Sequence, residues 1–455
     1  MIESVRTAFS LPDLRRRILF TIGILVIYRF VANIPVPGVN LEVWRTFSGQ
    51  QLDGLVAVLD LLSGGAVRNF SVMALGVYPY ITASIIIQLL TPLIPQLEEW
   101  QSEGESGRNR ITKITYYFTI PLALVQAYGQ IRLIGFNVGG VDAILPYFGF
   151  GNGTEILATL TTLLAMTGGS MFAIWLGEQI TESGIGQGIS LIIFSGIVAG
   201  VPSNLLNITT LDATAQTFVW SSFVVLTLLT VLVIVVVQEG TRRIPVNYGR
   251  RVRGRKVYQG QSTYVPLKVN AAGMIPIIFA QSIVTFPGII AQFFLPGGGL
   301  GDVTPESSLL ERIAGTTYEA FGTGTGFLYW FVYFWLVFAF TFFYTDVMVK
   351  QQRLPQTLQR QGGFIPGIRP GKRTEEYITS VTRRITLVGA VFLAIISILP
   401  GLMAALGSAL RIQDLQLSAL VIGGSGLIIV VGVVIDTMRQ LEAQLLMRRY
   451  EGFVS

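Results

Sequence analysis

The sequence predicts an all-α membrane protein of ten transmembrane helices, and three observations carry that prediction. Charged residues make up only 13% of the 455 positions while apolar residues make up 51%, against roughly 25% charged in an ordinary globular chain. Mean hydropathy is +0.61. The apolar residues also fall in long blocks, and a helix needs about 20 such residues to cross a bilayer.

In chain order the blocks are Ile18–Ile34, Phe70–Ile94, Ile114–Ile134, Ile156–Leu176 and Ile189–Val201, then Phe218–Val237, Ala271–Phe294, Phe327–Val349, Ile385–Met403 and Leu417–Ile435. The first follows Arg15–Arg17 in the manner of a secretory signal. It runs on into Asn33–Pro37 without a small-residue cleavage site and reads as a retained signal-anchor. The fifth is short and follows the Gly-rich Gly184–Gly188. A further apolar stretch, Leu55–Leu62, is too short to span, is interrupted by Asp60 and ends in Ser63–Gly64–Gly65. By composition it is an amphipathic helix on the outer surface. The alternative, a re-entrant segment, would have to be shielded from lipid by protein.

Charge fixes the expected orientation. With both termini cytosolic, 26 of the 32 Lys and Arg fall on the inner side, as the positive-inside rule requires. Five spans on each side of a seam after Pro202 would start the two halves on opposite faces, an arrangement that inverted repeats produce.

The composition excludes most chemistry. Without Cys or His there is no disulfide, no thiolate or imidazole metal site and no histidine base. Gly184–Gly188 and Gly322–Gly326 lack the spacing of a dinucleotide fingerprint. Gly367–Arg373 is one residue short of a phosphate-binding loop and carries Arg373 where the magnesium-binding hydroxyl belongs. No cofactor is expected, the chain is not expected to be an enzyme, and any work on a substrate must be powered by a partner. A small-solute transporter would bury an ionisable group near the midplane. Arg29, Glu178, Asp346 and Asp436 instead lie near the ends of the blocks. An intramembrane protease is disfavoured because no paired carboxylates or Ser–Lys arrangement can be placed.

Two features remain. Isoleucines recur at helical spacing, Ile81 with Ile85 and Ile189 with Ile193, alongside Ile278 and Ile429. From spacing alone they read as packing or lipid-facing residues. The inner loops 238–270 and 350–384 each carry eight Lys or Arg. Such loops are held inside by charge and attract anionic lipid, and they also suit docking to a large acidic partner. The stretch Arg251–Tyr258, with Gly254 in its middle, reads as a hairpin tip.

Several strings resemble the SecY family, the central subunits of protein-conducting channels. They are Leu75–Gln88, Glu103–Arg108, Ile180–Ser190, Leu267–Pro276 and, most specifically, Gly362–Gly371. The resemblance covers nearly the whole chain. It implies ten transmembrane helices in two pseudo-symmetric inverted halves, 1–209 and 210–455, with a short re-entrant plug helix at about 54–68 bearing Leu55, Asp60, Ser63, Gly64 and Gly65. Asp60 and the glycine break would keep that plug weakly packed. It further implies that Ile81, Ile85, Ile189, Ile193, Ile278 and Ile429 form an aliphatic pore ring, and that Ser282 and Phe286 sit at a lateral gate. Arg255, Lys256 and Arg369 are expected to dock the SecA motor ATPase or the ribosome. Expected partners also include SecE and SecG small subunits, signal peptides and nascent chains, in the plasma membrane of a prokaryote.

Overall fold

A computed structural model describes residues 9–48, 60, 63, 65–137, 140–208, 213–248, 251–253, 256–258, 262–295, 308–322, 326–352, 354–409 and 424–451. Each expected apolar block overlaps a helix among the described residues. They are α1 (Pro12–Val31), α3 (Tyr78–Leu90), α5 (Glu105–Asn137), α7 (Gly153–Ser183), α8 (Gly188–Ile208), α9 (Ala213–Glu239), α10 (Ile275–Phe293), α12 (Phe327–Gln352), α14 (Lys372–Ala409) and α15 (Gly424–Glu451). Shorter helices are α2 (Leu41–Ser48), α4 (Pro95–Ser102), α6 (Val141–Ile144), α11 (Leu309–Phe321) and α13 (Leu354–Arg360). Local chemistry sets several starts. Proline occupies the first turn of α1, α3 and α4, where its missing N–H is no loss and its φ is already helical. At α7 the Asn152 and Glu155 side chains form a capping box.

The second apolar block is shorter as a helix than its composition suggests. Residues 71–77 run as successive turns, and α3 begins only at Tyr78 and has 13 residues, about 20 Å of helix. Beyond Leu90 the chain bends by 104° into α4. Gly76 has a φ of +54°, which interrupts helical geometry, and Pro79 then nucleates α3.

The chain forms two compact units. The first comprises Met1–Asp212, Gln281–Trp330 and Val433–Ser455, the second Ala213–Ala280 and Phe331–Gly432. In the first, α7 packs against α1, α5 and α8, and α5 packs against α3 and α4. The second contains the strands β1 (Thr241–Tyr248), β2 (Arg251–Arg253), β3 (Lys256–Tyr258), β4 (Ser262–Lys268) and β5 (Gly363–Phe364). A three-stranded sheet has the order β4-β1-β5, with β1 antiparallel to β4 from Thr241↔Lys268 to Asn247↔Ser262 and to β5 at Asn247↔Phe364. Ile244 and Val246 alternate inward along β1 and join Leu267, Leu358, Ile365, Ile378 and Val381 in a small core. Apolar alternation along the strand and an aliphatic face on α14 thus give the two basic loops a common folded base.

Candidate functional site

The segment between α2 and α3 is organised around Asp60. Its backbone carbonyl accepts the Ser63 hydroxyl at 3.0 Å and the Gly65 amide at 2.8 Å. Its carboxylate accepts the Arg68 amide at 3.1 Å and Arg68 Nε at 2.9 Å. Asp60 was expected to mark weak packing. It is instead buried and draws Ser63, Gly65 and Arg68 around it, because a carboxylate that accepts both an amide and a guanidinium is satisfied out of water. The structure thereby brings Asp60, Ser63 and Gly65 together, while Leu55 and Gly64 lie outside the described residues.

Two side chains tie this loop to its surroundings. The fully buried Tyr28 of α1 donates its hydroxyl to the Ser63 carbonyl at 2.6 Å. The indole Nε1 of Trp44 on α2 donates to the Arg68 carbonyl at 2.8 Å, and its ring meets Phe70 edge-on at 5.1 Å. Phe70 ends the segment with a φ of +42°, a left-handed conformation that strains a bulky side chain. On either side of that joint the Val36 amide donates to the Phe70 carbonyl at 2.9 Å and the Val72 amide to the Ile34 carbonyl at 3.0 Å. Arg29, next to Tyr28, donates through Nη2 to the carbonyls of Ser195 at 2.7 Å and Gly196 at 3.1 Å on α8. This basic residue therefore joins α1 to α8.

Irregular backbone follows, and protein groups satisfy it. Ser170 of α7 donates to the Gly76 carbonyl at 2.7 Å and Gln130 of α5 to the Ala74 carbonyl at 3.2 Å. A Cβ at Gly169 would overlap the Val72 carbonyl oxygen, so only glycine lets α7 approach these turns. Non-helical backbone at membrane depth requires such shielding. It places α3 with Ile81 and Ile85 buried along one face.

The Gly184–Gly188 turn joins α7 to α8 and is a packing hub. The Ile185 amide donates to Thr21 Oγ1 at 3.1 Å, the Gly186 amide to Gln440 Oε1 at 3.0 Å, and the Gly188 amide to Thr181 Oγ1 at 2.9 Å. Beneath it Ile185 clusters with Leu14 and Leu441. All three amides are engaged by the protein, leaving no cradle for a phosphate. Beyond the turn, Ile193 is buried, whereas Ile189 is half-buried with its side chain against Gly177. Ile278 and Ile429 are buried and belong to the second unit.

Ser282 and Phe286 both lie on α10. Ser282 is buried and its carbonyl accepts the Tyr78 hydroxyl at 3.2 Å. The same hydroxyl lies 3.2 Å from Thr285 Oγ1, which donates to the Gln281 carbonyl at 3.0 Å. Gln281 in turn donates to the Tyr329 hydroxyl at 2.8 Å. The Tyr78 hydroxyl thus pins the start of α3 to α10 through Ser282 and Thr285. Phe286 is exposed. Sequence reasoning missed Tyr28, Trp44, Tyr78 and Thr285. Polar tips inside apolar blocks were the available signal, but their partners are 35 and 204 or more residues away for Tyr28 and Tyr78.

Lys256 and Arg369 fall within the described residues. β2 and β3 pair at Arg251↔Tyr258, Val252↔Val257 and Arg253↔Lys256, which is the expected hairpin. Lys256 begins β3, and Arg255 lies outside the described residues. Arg369 is exposed on the loop between β5 and α14, where its carbonyl accepts the Thr374 hydroxyl at 3.1 Å. Among the described residues no three Asp or Glu side chains are placed to hold a metal ion.

A SecY family profile matches residues 71–438. The chain is 42% identical over 462 residues to the protein translocase subunit SecY of Halalkalibacterium halodurans, with all of both chains covered. The chain belongs to the SecY family. It is 39% identical to the SecY subunit of Thermotoga maritima, covering all of this chain and 98% of that one. Its fold is also that of a solved protein-conducting channel, with a TM-score of 0.58 at 18% identity, covering 94% of this chain and 91% of that one. Sec61 in the canine ribosome–channel complex gives a TM-score of 0.56 at 18% identity over the same shares. As a SecY family member the protein is a mostly helical, non-enzymatic channel subunit of a protein translocase.

Proposed function

We propose that this SecY family protein passes signal-bearing polypeptides through a pore lined by Ile81, Ile85, Ile189, Ile193, Ile278 and Ile429, and releases transmembrane segments sideways past α3 and α10. The halves 1–209 and 210–455 open to admit the chain. The segment from Gly54 to Arg68 is the plug that seals the resting pore, and Tyr78 with Ser282 is the latch of the lateral gate. Aliphatic side chains suit the constriction because they bind no particular sequence and leave the narrowest zone poorly wetted.

The observation that carries this reading is the loop that Asp60 closes through its bonds to Ser63, Gly65 and Arg68, tied to α1 through Tyr28 and to α2 through Trp44. A plug must leave as a unit, and the bonds from Asp60 hold the loop together when its ties to Tyr28 and Trp44 break. The driving partner is SecA or a translating ribosome, engaging Arg255, Lys256 and Arg369 on loops whose charge matches an acidic surface. SecE and SecG complete the channel, and anionic lipid neutralises the remaining basic side chains. The protein resides in a prokaryotic plasma membrane with both termini in the cytosol.

Reconstitution with SecE, SecA, ATP and a signal-bearing precursor tests this reading. ATP-dependent protection of the precursor from external protease is expected, and Arg369→Glu is expected to abolish it by setting like charge against the motor. Normal transport by a folded Arg369→Glu variant would remove Arg369 from the docking surface.

A further inference from the structure

Helix α11 does not span, yet it carries an apolar face that the protein leaves open. Its 13 residues make about 20 Å of helix against the about 30 Å of a hydrocarbon core. It is built to start at Ser308, whose hydroxyl accepts the Glu311 amide at 3.4 Å while Glu311 Oε2 accepts the Ser308 amide at 2.9 Å.

Three faces divide its surface. Ala314, Gly315 and Tyr318 are buried. Arg312, Thr316 and Glu319 follow one another at three- and four-residue spacing on an exposed polar face. Between them stand Leu309, Leu310 and Ile313, which are 73%, 65% and 55% exposed. Thr317 shares that apolar face, but its hydroxyl donates to the Ile313 carbonyl at 2.8 Å and Thr316 likewise donates to Arg312 at 3.0 Å. Neither hydroxyl therefore needs water.

What lies beyond α11 identifies the occupant of the open face. A Cβ at Gly326 would lie 3.8 Å from the Ala320 carbonyl, so the end of α11 abuts the start of α12. That apolar helix opens with exposed Phe327 and Leu328. The open face of α11 therefore adjoins the point where a lipid-facing helix enters the bilayer. An amphipathic helix with an aliphatic face and a charged face at that place seats in the interfacial zone.

We propose that α11 is an interfacial anchor, lying along the membrane surface opposite the basic loops with Leu309, Leu310 and Ile313 in the acyl–headgroup boundary. It braces α10 as well. A Cβ at Gly288 would stand 3.1 Å from the Gly322 backbone, so the end of α11 rests on α10 two residues beyond Phe286. The side of the membrane rests on the topology proposed above; the lipid contact does not.

The absence of Cys from the chain makes the test direct. The single variants Leu309→Cys, Leu310→Cys, Ile313→Cys, Arg312→Cys, Thr316→Cys and Glu319→Cys are spin-labelled in the SecE-containing complex, reconstituted into phospholipid vesicles. Collision with oxygen is then compared with collision with a water-soluble nickel chelate. Labels at 309, 310 and 313 are expected to favour oxygen severalfold, and those at 312, 316 and 319 to favour nickel. Nickel preference at all six sites overturns the anchor, because the face is then in water. Shielding of 309, 310 and 313 from both reagents also overturns it, because a protein partner then covers the face. Confining the chelate to one side of oriented vesicles reads sidedness separately. An oxygen-favouring face whose polar neighbours are reached from the basic-loop side would keep the anchor and overturn the topology.

Discussion

Replacing Tyr28 by Phe removes one oxygen atom and keeps the ring, so the packing of α1 is unchanged while the tether to the Asp60 loop, the proposed plug, is cut. The lost bond is short, at 2.6 Å, and both residues are fully buried. A buried hydrogen bond contributes about 1 kcal/mol net, and removing one partner so that a buried acceptor is left unsatisfied costs about 1–3 kcal/mol. The bonds within the Asp60 loop are untouched, and Trp44 still holds Arg68 at 2.8 Å. A destabilisation of the seated plug by about 1.5 kcal/mol follows from the lower part of that range. It raises the unseated-to-seated ratio about tenfold, because 1.4 kcal/mol is a factor of ten. The assay is single-channel open probability in planar bilayers without substrate, paired with transport of a precursor whose signal sequence is defective. Tyr28→Phe is expected to open about tenfold more often and to accept the defective signal. Unchanged open probability in a folded variant would refute the tether.

Three further outcomes are expected. Tyr78→Phe removes the hydroxyl that meets Ser282 and Thr285; it should weaken the closed gate by about 1 kcal/mol, seen as faster membrane insertion of a marginally apolar segment. Ile193→Asn places an amide at a buried aliphatic position and should wet the constriction, raising ion conductance through channels that remain otherwise closed. Gly169→Ala forces a methyl against the Val72 carbonyl; overpacking of this kind costs about 1–3 kcal/mol and should lower the unfolding temperature in detergent.

Membrane helices are legible because the bilayer writes their length into composition, and each apolar block of this chain meets a helix. Their ends are less legible. The block from Phe70 reads as continuous, but Gly76 and Pro79 delay α3 to Tyr78, and the turns before it persist only because Ser170 and Gln130 satisfy them. The Arg251–Tyr258 hairpin was readable because charged residues around a glycine leave few alternatives, and β2 and β3 pair as expected. Asp60 departs from the expected weak packing for a physical reason. A lone acid in an apolar stretch looks disruptive until its partner, Arg68, is folded back onto it. Tyr28 and Tyr78 escaped because a tyrosine in an apolar block looks like core, and no local pattern announces a partner on another helix. Ile189 carries the spacing of a pore residue, and its half-buried side chain also touches Gly177, a contact set by the tight turn that periodicity does not announce.

The central claim, that a polypeptide passes the isoleucine constriction, is tested by covalent trapping. The cysteine-free background allows Ile193→Cys to be the only thiol on the channel, and a precursor with one Cys in its middle is stalled by a folded domain at its end. A disulfide between Ile193→Cys and the stalled precursor is expected, dependent on ATP and SecA, with none to a Cys placed at exposed Leu228 on α9. Trapping at Leu228 with none at Ile193, in channels that protect the precursor, would contradict the account.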